Sequence, residues 1–267
     1  MHGCERELSE PTGGPPSPSL DVPLSASCRQ LDQPSIPRGP PGRCLRGVGV
    51  SAPGASRPGL PRSQQASWRR TYATTSYRKL PWFSTRPYPW VREAVQSGWL
   101  RPGASVLDVG CGAGTNSLFL ARSGLRACGV DLAPAAIAAA DHRAARRKLT
   151  VEFRVADALR LPFPDGRFGG LVDVGCFHTI PISLRRAYSR ELARVTEPGA
   201  RYALAWVGRE SGQKFGPPHR PSLEEAAATF EEEFIFLRTQ FSPARAGPFA
   251  EYQALLERRA RVRPPRR

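Results

Sequence analysis

Between residues 104 and 207, short apolar runs alternate with segments of helical pattern, and this alternation limits the possible folds more than any other feature of the chain. The apolar runs are residues 104–110, 126–131, 151–155, 168–175 and 200–207. Strands separated by helices predict a parallel sheet with helices on both faces. Beyond Val207 the pattern predicts one more helix and two closing strands. We therefore expect an α/β domain with a Rossmann-like, doubly wound, mostly parallel seven-stranded sheet.

The first 65 residues have a different composition. They contain 12 Pro and 9 Gly, and their apolar residues follow neither the strand period nor the helix period. Such a segment cannot bury enough apolar surface to offset the entropy of ordering the chain. We therefore expect a disordered extension over residues 1–70 and one folded domain over residues 71–267. Removal of the chain up to Gln65 should leave that domain folded.

The net charge of +16 favours anionic partners, RNA among them, although a solvated arginine-rich surface has the same composition.

No run of 18 apolar residues is present, and the first 30 residues lack the apolar segment of a secretory signal, so we expect a cytoplasmic protein without a membrane span. The stretch between Asp32 and Glu93 has no acidic residue and resembles an organelle transit peptide in composition. Three glutamates within the first ten residues disagree with import, which stays an alternative.

The six cysteines and four histidines form no pattern of known chemistry. No two cysteines make a C-x-x-C pair, and no histidine stands at ligand spacing from another. The sequence therefore predicts neither a metal site nor a disulfide framework.

Three glycines, Gly110, Gly112 and Gly114, follow the first predicted strand, and Asp131 ends the second. Their G-x-G-x-G spacing differs from the G-x-G-x-x-G of dinucleotide sites because residue 115 is threonine, and no Gly-Lys-Ser/Thr triplet of a phosphate-binding loop follows. Folds of this class bind ligands beyond the carboxyl ends of their strands. The spacing thus excludes both common phosphate-binding loops at the place where a ligand is expected.

Residues 106–134 resemble the cofactor-binding segment of class I S-adenosylmethionine-dependent methyltransferases, and residues 151–175 and 191–207 resemble the segments that follow it in that superfamily. The resemblance covers roughly residues 77–258. Residues 80–114 are most similar to the small-molecule branch related to thiopurine S-methyltransferase. The resemblance implies the class I methyltransferase fold, S-adenosylmethionine as cofactor, and methyl transfer to a thiol, amine or oxygen of a small molecule.

The resemblance also implies cofactor-binding roles for three acids. Asp108 would hold the ammonium end of the cofactor, Asp131 would accept hydrogen bonds from both ribose hydroxyls, and Asp157 would accept from the adenine amino group. The rest of the expected cofactor-binding set is Gly110, Cys111, Gly112, Gly114, Leu132, Ala158 and Val174. The glycines would let the turn pass against the cofactor without a Cβ clash.

Five further residues are candidates for the acceptor side. Trp82 and Phe83 precede the first strand and would form an aromatic lid, or alternatively would pack into the core. Cys176, Phe177 and His178 follow the fourth strand near the expected point of transfer, and His178 is the candidate for proton removal. The Asn/Asp-Pro-Pro-aromatic motif of enzymes that methylate base amines is missing there, which favours a small-molecule acceptor.

Two other functions stay open at this point. One is an RNA-modifying methyltransferase that uses the basic surface, and the other is a non-catalytic homologue that keeps only the cofactor site. We expect a monomer or a weak dimer.

Overall fold

The computed structural model describes residues 57–211, 217–243 and 250–260. The chain divides into two units, Met1–Ala52 and Pro53–Arg267, and the described residues all belong to the second. The part of the predicted disordered extension that precedes residue 57 lies outside the described residues. No helix in the described ranges is long and apolar enough to cross a membrane.

Seven strands form one sheet in the order β3-β2-β1-β4-β5-β7-β6. Their bounds are β1 Ser105–Val109, β2 Arg126–Asp131, β3 Glu152–Val155, β4 Phe168–Val174, β5 Thr196–Val207, β6 Phe234–Ser242 and β7 Glu251–Arg258. Strands β1 to β5 pair in parallel, whereas β7 runs antiparallel to both of its neighbours. The predicted doubly wound, mostly parallel seven-stranded sheet is therefore confirmed.

Six α-helices accompany the sheet in the described residues. They are α1 Arg62–Thr74, α2 Pro89–Gln96, α3 Thr115–Arg122, α4 Pro134–Ala145, α5 Arg185–Val195 and α6 Leu223–Phe230. Pro134 begins α4, where its missing N–H leaves no hydrogen bond unmade. Ser222 and Glu225 begin α6 with a reciprocal capping box. Helix α5 ends at Val195, because β5 begins directly at Thr196.

The core lies on both faces of the sheet, as alternating side chains of β1 illustrate. Leu107 and Val109 pack in one apolar cluster with Tyr188 of α5, whereas Val106 packs in a second cluster with Trp90 of α2. Successive strand residues point to opposite faces, so helices must cover both. This arrangement leaves the carboxyl ends of the parallel strands as the exposed edge on which a site can form.

The folded part of the chain begins earlier than the sequence predicts. Residues 62–74 form α1, so the predicted boundary at residue 70 falls inside a helix. Leu60, just before it, is buried in the first cluster, and Arg57 pairs with Glu191 of α5 at 2.9 Å. The expectation of disorder therefore does not fit residues 57–70. No side chain of α1 itself is fully buried, and this explains why no apolar period marks the helix in the sequence.

Candidate functional site

Four acidic residues lie at the carboxyl edge of the sheet. Asp108 and Asp173 stand on the neighbouring strands β1 and β4, Asp131 ends β2, and Asp157 follows β3. The strand order reverses between β1 and β4, which is the position where ligands bind in doubly wound sheets. No ion pair in the described residues includes any of these four carboxylates. In the described residues, no positively charged side chain therefore compensates these acids, although the chain has a net charge of +16.

Asp108 is almost fully buried, and its Oδ2 accepts a hydrogen bond from the hydroxyl of Ser117 at 2.6 Å. Burial raises the pKa of this carboxyl to about 7, and the negative charges of Asp173 and Asp131 add to the effect, while the bonds from Ser117 oppose it. The residue is placed as the sequence predicts, at the edge of β1. A cation nearby would favour its charged form.

Asp131 holds the glycine loop (residues 110–114) against the end of β2. Its Oδ2 accepts from the backbone N–H of Gly112, and its Oδ1 accepts from that of Ala133, both at 2.9 Å. Burial raises the pKa of Asp131, although these backbone N–H groups lower it. Each carboxylate oxygen can accept a second hydrogen bond, so the residue can serve the loop and a ligand hydroxyl together.

Asp157 is engaged from both sides by backbone groups. Its Oδ1 accepts from the N–H of Leu159 at 2.9 Å, and its Oδ2 accepts from the N–H of Leu60 at 2.8 Å. The neighbouring Ala158 is buried in the first apolar cluster, and Leu132 packs against that cluster while staying partly exposed. The structure thus brings the predicted adenine-side residues together, with the chain before α1 in contact with them.

The glycine loop needs glycine for two physical reasons. Gly110, Gly112 and Gly114 all have positive φ, at 69°, 53° and 75°. A Cβ on Gly112 would lie 2.9 Å from the hydroxyl of Tyr72, and one on Gly114 would lie 2.9 Å from Cζ of Phe153. The first contact is with α1, above the loop, and the second is helix–strand packing. The bare face of Gly112 therefore lies against Tyr72, at the carboxyl edge of the sheet where a ligand is expected.

Helix α1 lies over the glycine loop through Tyr72. The hydroxyl of Tyr72 accepts from the indole N–H of Trp82 at 3.0 Å, and Trp68 packs edge-on against Trp82 with ring centroids 5.6 Å apart. Burial and the nearby Asp131 raise the pKa of Tyr72. These three rings form an aromatic cluster beside the glycine loop, and Trp82 of the predicted lid belongs to it. No pattern in the sequence predicts the contacts of Tyr72 in this cluster.

Phe83, the second residue of the predicted lid, lies elsewhere. Its ring packs against Tyr77 at a centroid distance of 4.9 Å and beneath the guanidinium of Arg143 at 5.2 Å. Trp82 faces Tyr72 instead, so the two neighbours point to different environments. The expectation of a joint Trp82–Phe83 lid is therefore wrong for Phe83.

The residues after β4 contact the glycine loop through Cys176. A Cβ on Gly110 would lie 2.8 Å from that of Cys176, whose backbone N–H donates to Oδ1 of Asp173 at 2.7 Å. Burial raises the pKa of Cys176, and also that of Cys111 in the loop, so both side chains are thiols rather than nucleophilic thiolates. Val174, which ends β4, is partly exposed at the same edge.

Phe177 does not face the site. Its side chain is fully buried and stacks on Tyr188 and Phe230 in the first apolar cluster. The prediction of a substrate contact is therefore wrong for this side chain, because the 3-10 turn at Phe177–Thr179 directs it into the core.

His178 is not arranged as a proton acceptor. Its Nδ1 accepts the backbone N–H of Val207 at 2.9 Å, which leaves the proton of the neutral ring on Nε2. Burial lowers the pKa of His178 to about 3, and Arg220 contributes to this. The prediction of proton removal by His178 does not fit this geometry. Its Nε2, near Gly175, can donate a hydrogen bond but cannot readily take up a proton.

Asp173 is the most fully bonded acid at this edge, and it is not among the site residues predicted from the sequence. It is fully buried and accepts from the backbone of Cys176 and Phe177 and from the hydroxyl of Tyr188 at 2.6 Å. Burial raises its pKa to about 6. An aspartate inside an otherwise apolar strand was the signal that could have identified it.

The chemistry of the donor set indicates the kind of ligand. Carboxylates and backbone groups line the edge, and no arginine or lysine pairs with them in the described residues, which disfavours a phosphate. No group of three or more His, Cys, Asp and Glu residues in the same ranges could hold a metal ion. Buried carboxylates that neutral groups alone stabilise favour a cationic ligand with amine and hydroxyl donors. S-adenosylmethionine has these properties, so the residues present fit it.

Known proteins share this part of the chain. Residues 106–199 match the model of the family described as a methyltransferase domain. The 2-heptyl-1-hydroxyquinolin-4(1H)-one methyltransferase of Mycobacteroides abscessus is 41% identical over 125 residues, which are 46% of this chain and 54% of that protein. A demethylmenaquinone methyltransferase of Corynebacterium efficiens is 30% identical over 160 residues, covering 55% of this chain and 64% of the relative. The chain thus spans between about half and two thirds of the length of these two relatives.

The fold has relatives among solved structures. A structure from work on the conversion of a disulfide bond into a thioacetal group during echinomycin biosynthesis superposes with a TM-score of 0.64 at 24% identity, and covers 73% of this chain and 92% of its own. At this identity the likeness concerns the fold. With the family model and the relatives, it supports a class I S-adenosylmethionine-dependent methyltransferase domain.

Proposed function

We propose that the chain is an S-adenosylmethionine-dependent methyltransferase that acts on a small planar acceptor. The observation that carries the proposal is the set of uncompensated carboxylates at the switch point of the sheet, Asp108, Asp131 and Asp157, around a loop of positive-φ glycines. A cationic cofactor would supply the missing positive charge. The family match over residues 106–199 supports the same assignment.

The residues of this chain would bind the cofactor and orient it toward the acceptor. Asp108 would face the ammonium end, Asp131 would accept from the ribose hydroxyls while it holds Gly112, and Asp157 would accept from the adenine amino group beside Leu132 and Ala158. Tyr72 and Trp82 would cover the loop and exclude water. When bound, S-adenosylmethionine supplies a methyl group on a positively charged sulfur, and this sulfur is the leaving group when an acceptor attacks the methyl carbon in line. Alignment of the two reactants supplies most of the catalysis in such a step.

The state of the titratable groups restricts the acceptor. His178 is held neutral with Nδ1 occupied, and the thiols of Cys111 and Cys176 are protonated, so none of the three offers a strong base. An acceptor that ionises by itself near neutral pH needs no such base. We therefore infer a ring-bound hydroxyl or a heteroaromatic thiol rather than an aliphatic alcohol.

The names of the relatives agree with a planar acceptor. One is named for a hydroxyquinolinone and the other for a quinone, and both molecules are flat ring systems that carry oxygen. The sequence resemblance to the thiopurine S-methyltransferase branch points to a flat heterocycle with sulfur. We favour the oxygen acceptor because the 41% identical relative is named for a ring that bears a hydroxyl group.

The test is a coupled assay of S-adenosylhomocysteine release with the full chain. The acceptors are hydroxyquinolinones, hydroquinones, heteroaromatic thiols, aliphatic amines and an unmodified tRNA transcript. We expect turnover with the ring hydroxyls or the thiols and none with the amines. Turnover with tRNA alone would identify an RNA-modifying enzyme and overturn the proposal.

Binding is measured separately, so that a missing substrate is distinguished from a missing activity. Calorimetry with S-adenosylmethionine should show binding that Asp131→Asn weakens. Binding without turnover on every acceptor would indicate a non-catalytic homologue. If the unmodified chain does not bind S-adenosylmethionine, the cofactor assignment itself is wrong.

A further inference from the structure

A cavity lies beside the end of α4, and its lining includes none of the residues assigned to the cofactor. It has a volume of about 630 Å³ and lies between the last turns of α4 and the segment 77–85. Its lining includes Arg78, Arg143, Arg146 and Arg147, with Tyr77 and Phe83. Small-molecule sites commonly have volumes of about 300–1,000 Å³. The cavity therefore has the size of a binding site.

The lining of this cavity is positively charged and contains no acid. Four arginines and His142 contribute to it, and no Asp or Glu does. Among the described residues, none of the four arginines has a carboxylate oxygen within ion-pair distance. All four arginines of α5, by contrast, are paired with glutamates. The positive charge of the cavity is thus a local property and not only the result of the net charge.

Arg143 is the fixed cation of this cavity. Its side chain is buried, its guanidinium lies 5.2 Å from the ring centre of Phe83 and 5.8 Å from that of Tyr77, and it donates to the hydroxyl of Thr115 at 2.9 Å. Burial and the neighbouring charges of Arg147 and Arg78 lower its pKa, which shows that its surroundings disfavour another positive charge. A buried cation surrounded by other cations is stabilised when an anion joins it.

We propose that this cavity binds a small phosphorylated molecule and that the bound phosphate acts on the cofactor loop through Arg143. Exposed guanidinium groups of Arg78, Arg146 and Arg147 present the forked donors that bind phosphate oxygens in pairs. The concave shape and the aromatic wall suit a compact ligand with an attached ring rather than an extended strand. Neither the proposed methyl transfer nor its acceptor is needed for this binding.

The route to the cofactor loop is short. Arg143 donates to the backbone carbonyl of Ala113 as well as to Thr115, and these residues stand on either side of Gly114. A phosphate that draws the guanidinium toward the cavity changes the bonds that fix the loop. Binding in the cavity and binding at the loop should therefore influence each other by the same factor in both directions.

Calorimetry with inorganic pyrophosphate and with ADP, at fixed ionic strength on the full chain, tests the site. In Arg146→Gln/Arg147→Gln we expect at least tenfold weaker binding of both. The matched control is Arg101→Gln/Arg122→Gln, which removes two exposed arginines outside the cavity and should bind as the unmodified chain does. Melting temperatures of both variants check that they fold. Equal loss in both pairs, or no binding by the unmodified chain, would overturn the proposal.

Two further arms separate the source of the phosphate and test the coupling. If a single-stranded RNA oligonucleotide binds through the arginine pair while pyrophosphate and ADP do not, the surface serves nucleic acid and the proposal fails. The affinity for S-adenosylhomocysteine should change severalfold when pyrophosphate is saturating. An unchanged affinity would disprove the action through Arg143.

Discussion

The backbone N–H of Leu60 donates a hydrogen bond to Oδ2 of Asp157 at 2.8 Å, so the chain before α1 contacts the acid assigned to the cofactor's adenine. Gln64, at the start of α1, makes a second contact: its side-chain amide donates to the carbonyl of Thr179, just after β4, at 2.6 Å. A ligand amine that bonds to Oδ2 of Asp157 must share that oxygen with Leu60 or displace it. Residues 57–74 therefore belong to the architecture of the site.

Truncation tests this relationship. Deletion of residues 1–65 should lower the free energy of unfolding by about 1.5–3 kcal/mol for the loss of buried Leu60 alone, and should change the affinity for S-adenosylhomocysteine. The sequence alone predicts no effect. Deletion of residues 1–56 is the matched control, because it keeps Arg57, Leu60 and Gln64. Melting curves with and without S-adenosylhomocysteine compare the two truncated proteins. Equal curves would show that the contacts of Leu60 affect neither stability nor ligand binding.

Asp131→Asn should weaken the binding of S-adenosylhomocysteine by about 1.5–3 kcal/mol, the usual value of hydrogen bonds to a charged group. The amide keeps one oxygen for the N–H of Gly112 or Ala133, so the fold should persist. Asp141→Asn removes the same charge from an exposed position of α4 and serves as the control. Calorimetry that gives equal affinities for the two variants would remove Asp131 from the site.

Gly112→Ala separates the two demands on this glycine, its positive φ and its bare face toward the ligand. The φ of 53° should cost about 1–2 kcal/mol of stability. Gly124→Ala is the control, because it has a φ of 84° and no atom within 4 Å of the added Cβ. We expect Gly112→Ala to lose more stability than Gly124→Ala, because its added Cβ would also lie 2.9 Å from the hydroxyl of Tyr72. Only Gly112→Ala should lose the rise in melting temperature caused by S-adenosylhomocysteine. A full rise in Gly112→Ala would show that the glycine serves only the turn.

The pKa of Asp108 predicts how stability depends on pH. The pKa is about 7 in the folded chain, above its usual value of 3.8, so the folded state holds a proton that the unfolded state releases between these pH values. Stability from this group is therefore complete below about pH 4 and is lost as the pH rises through 7. Asp108→Asn keeps the contact with Ser117 and should not show this loss. Unfolding curves at pH 5 to 8 that run parallel for the two proteins would contradict the assignment.

Strands β1, β2 and β4 were predictable because each is a short apolar run with a local signal at its end. Gly110 to Gly114 and Asp131 were likewise visible, since a loop at a strand end depends on nearby residues. Tyr72 and Leu60 were not predictable, because their contacts join positions far apart in a segment without an apolar period. His178 was misjudged for the same reason: its partner, the N–H of Val207, belongs to a strand about thirty residues away, and no local pattern shows it.

The unpaired carboxylates also bear on how a reaction cycle would end. A cofactor with a positive sulfur becomes a neutral thioether once its methyl group has left. If the proposed cofactor binds at this edge, the attraction from Asp108, Asp131 and Asp173 would weaken at that point. The buried carboxylates would thus favour binding of positively charged S-adenosylmethionine over binding of its demethylated product, S-adenosylhomocysteine. Product inhibition should accordingly be weaker than it would be at a site lined by neutral groups.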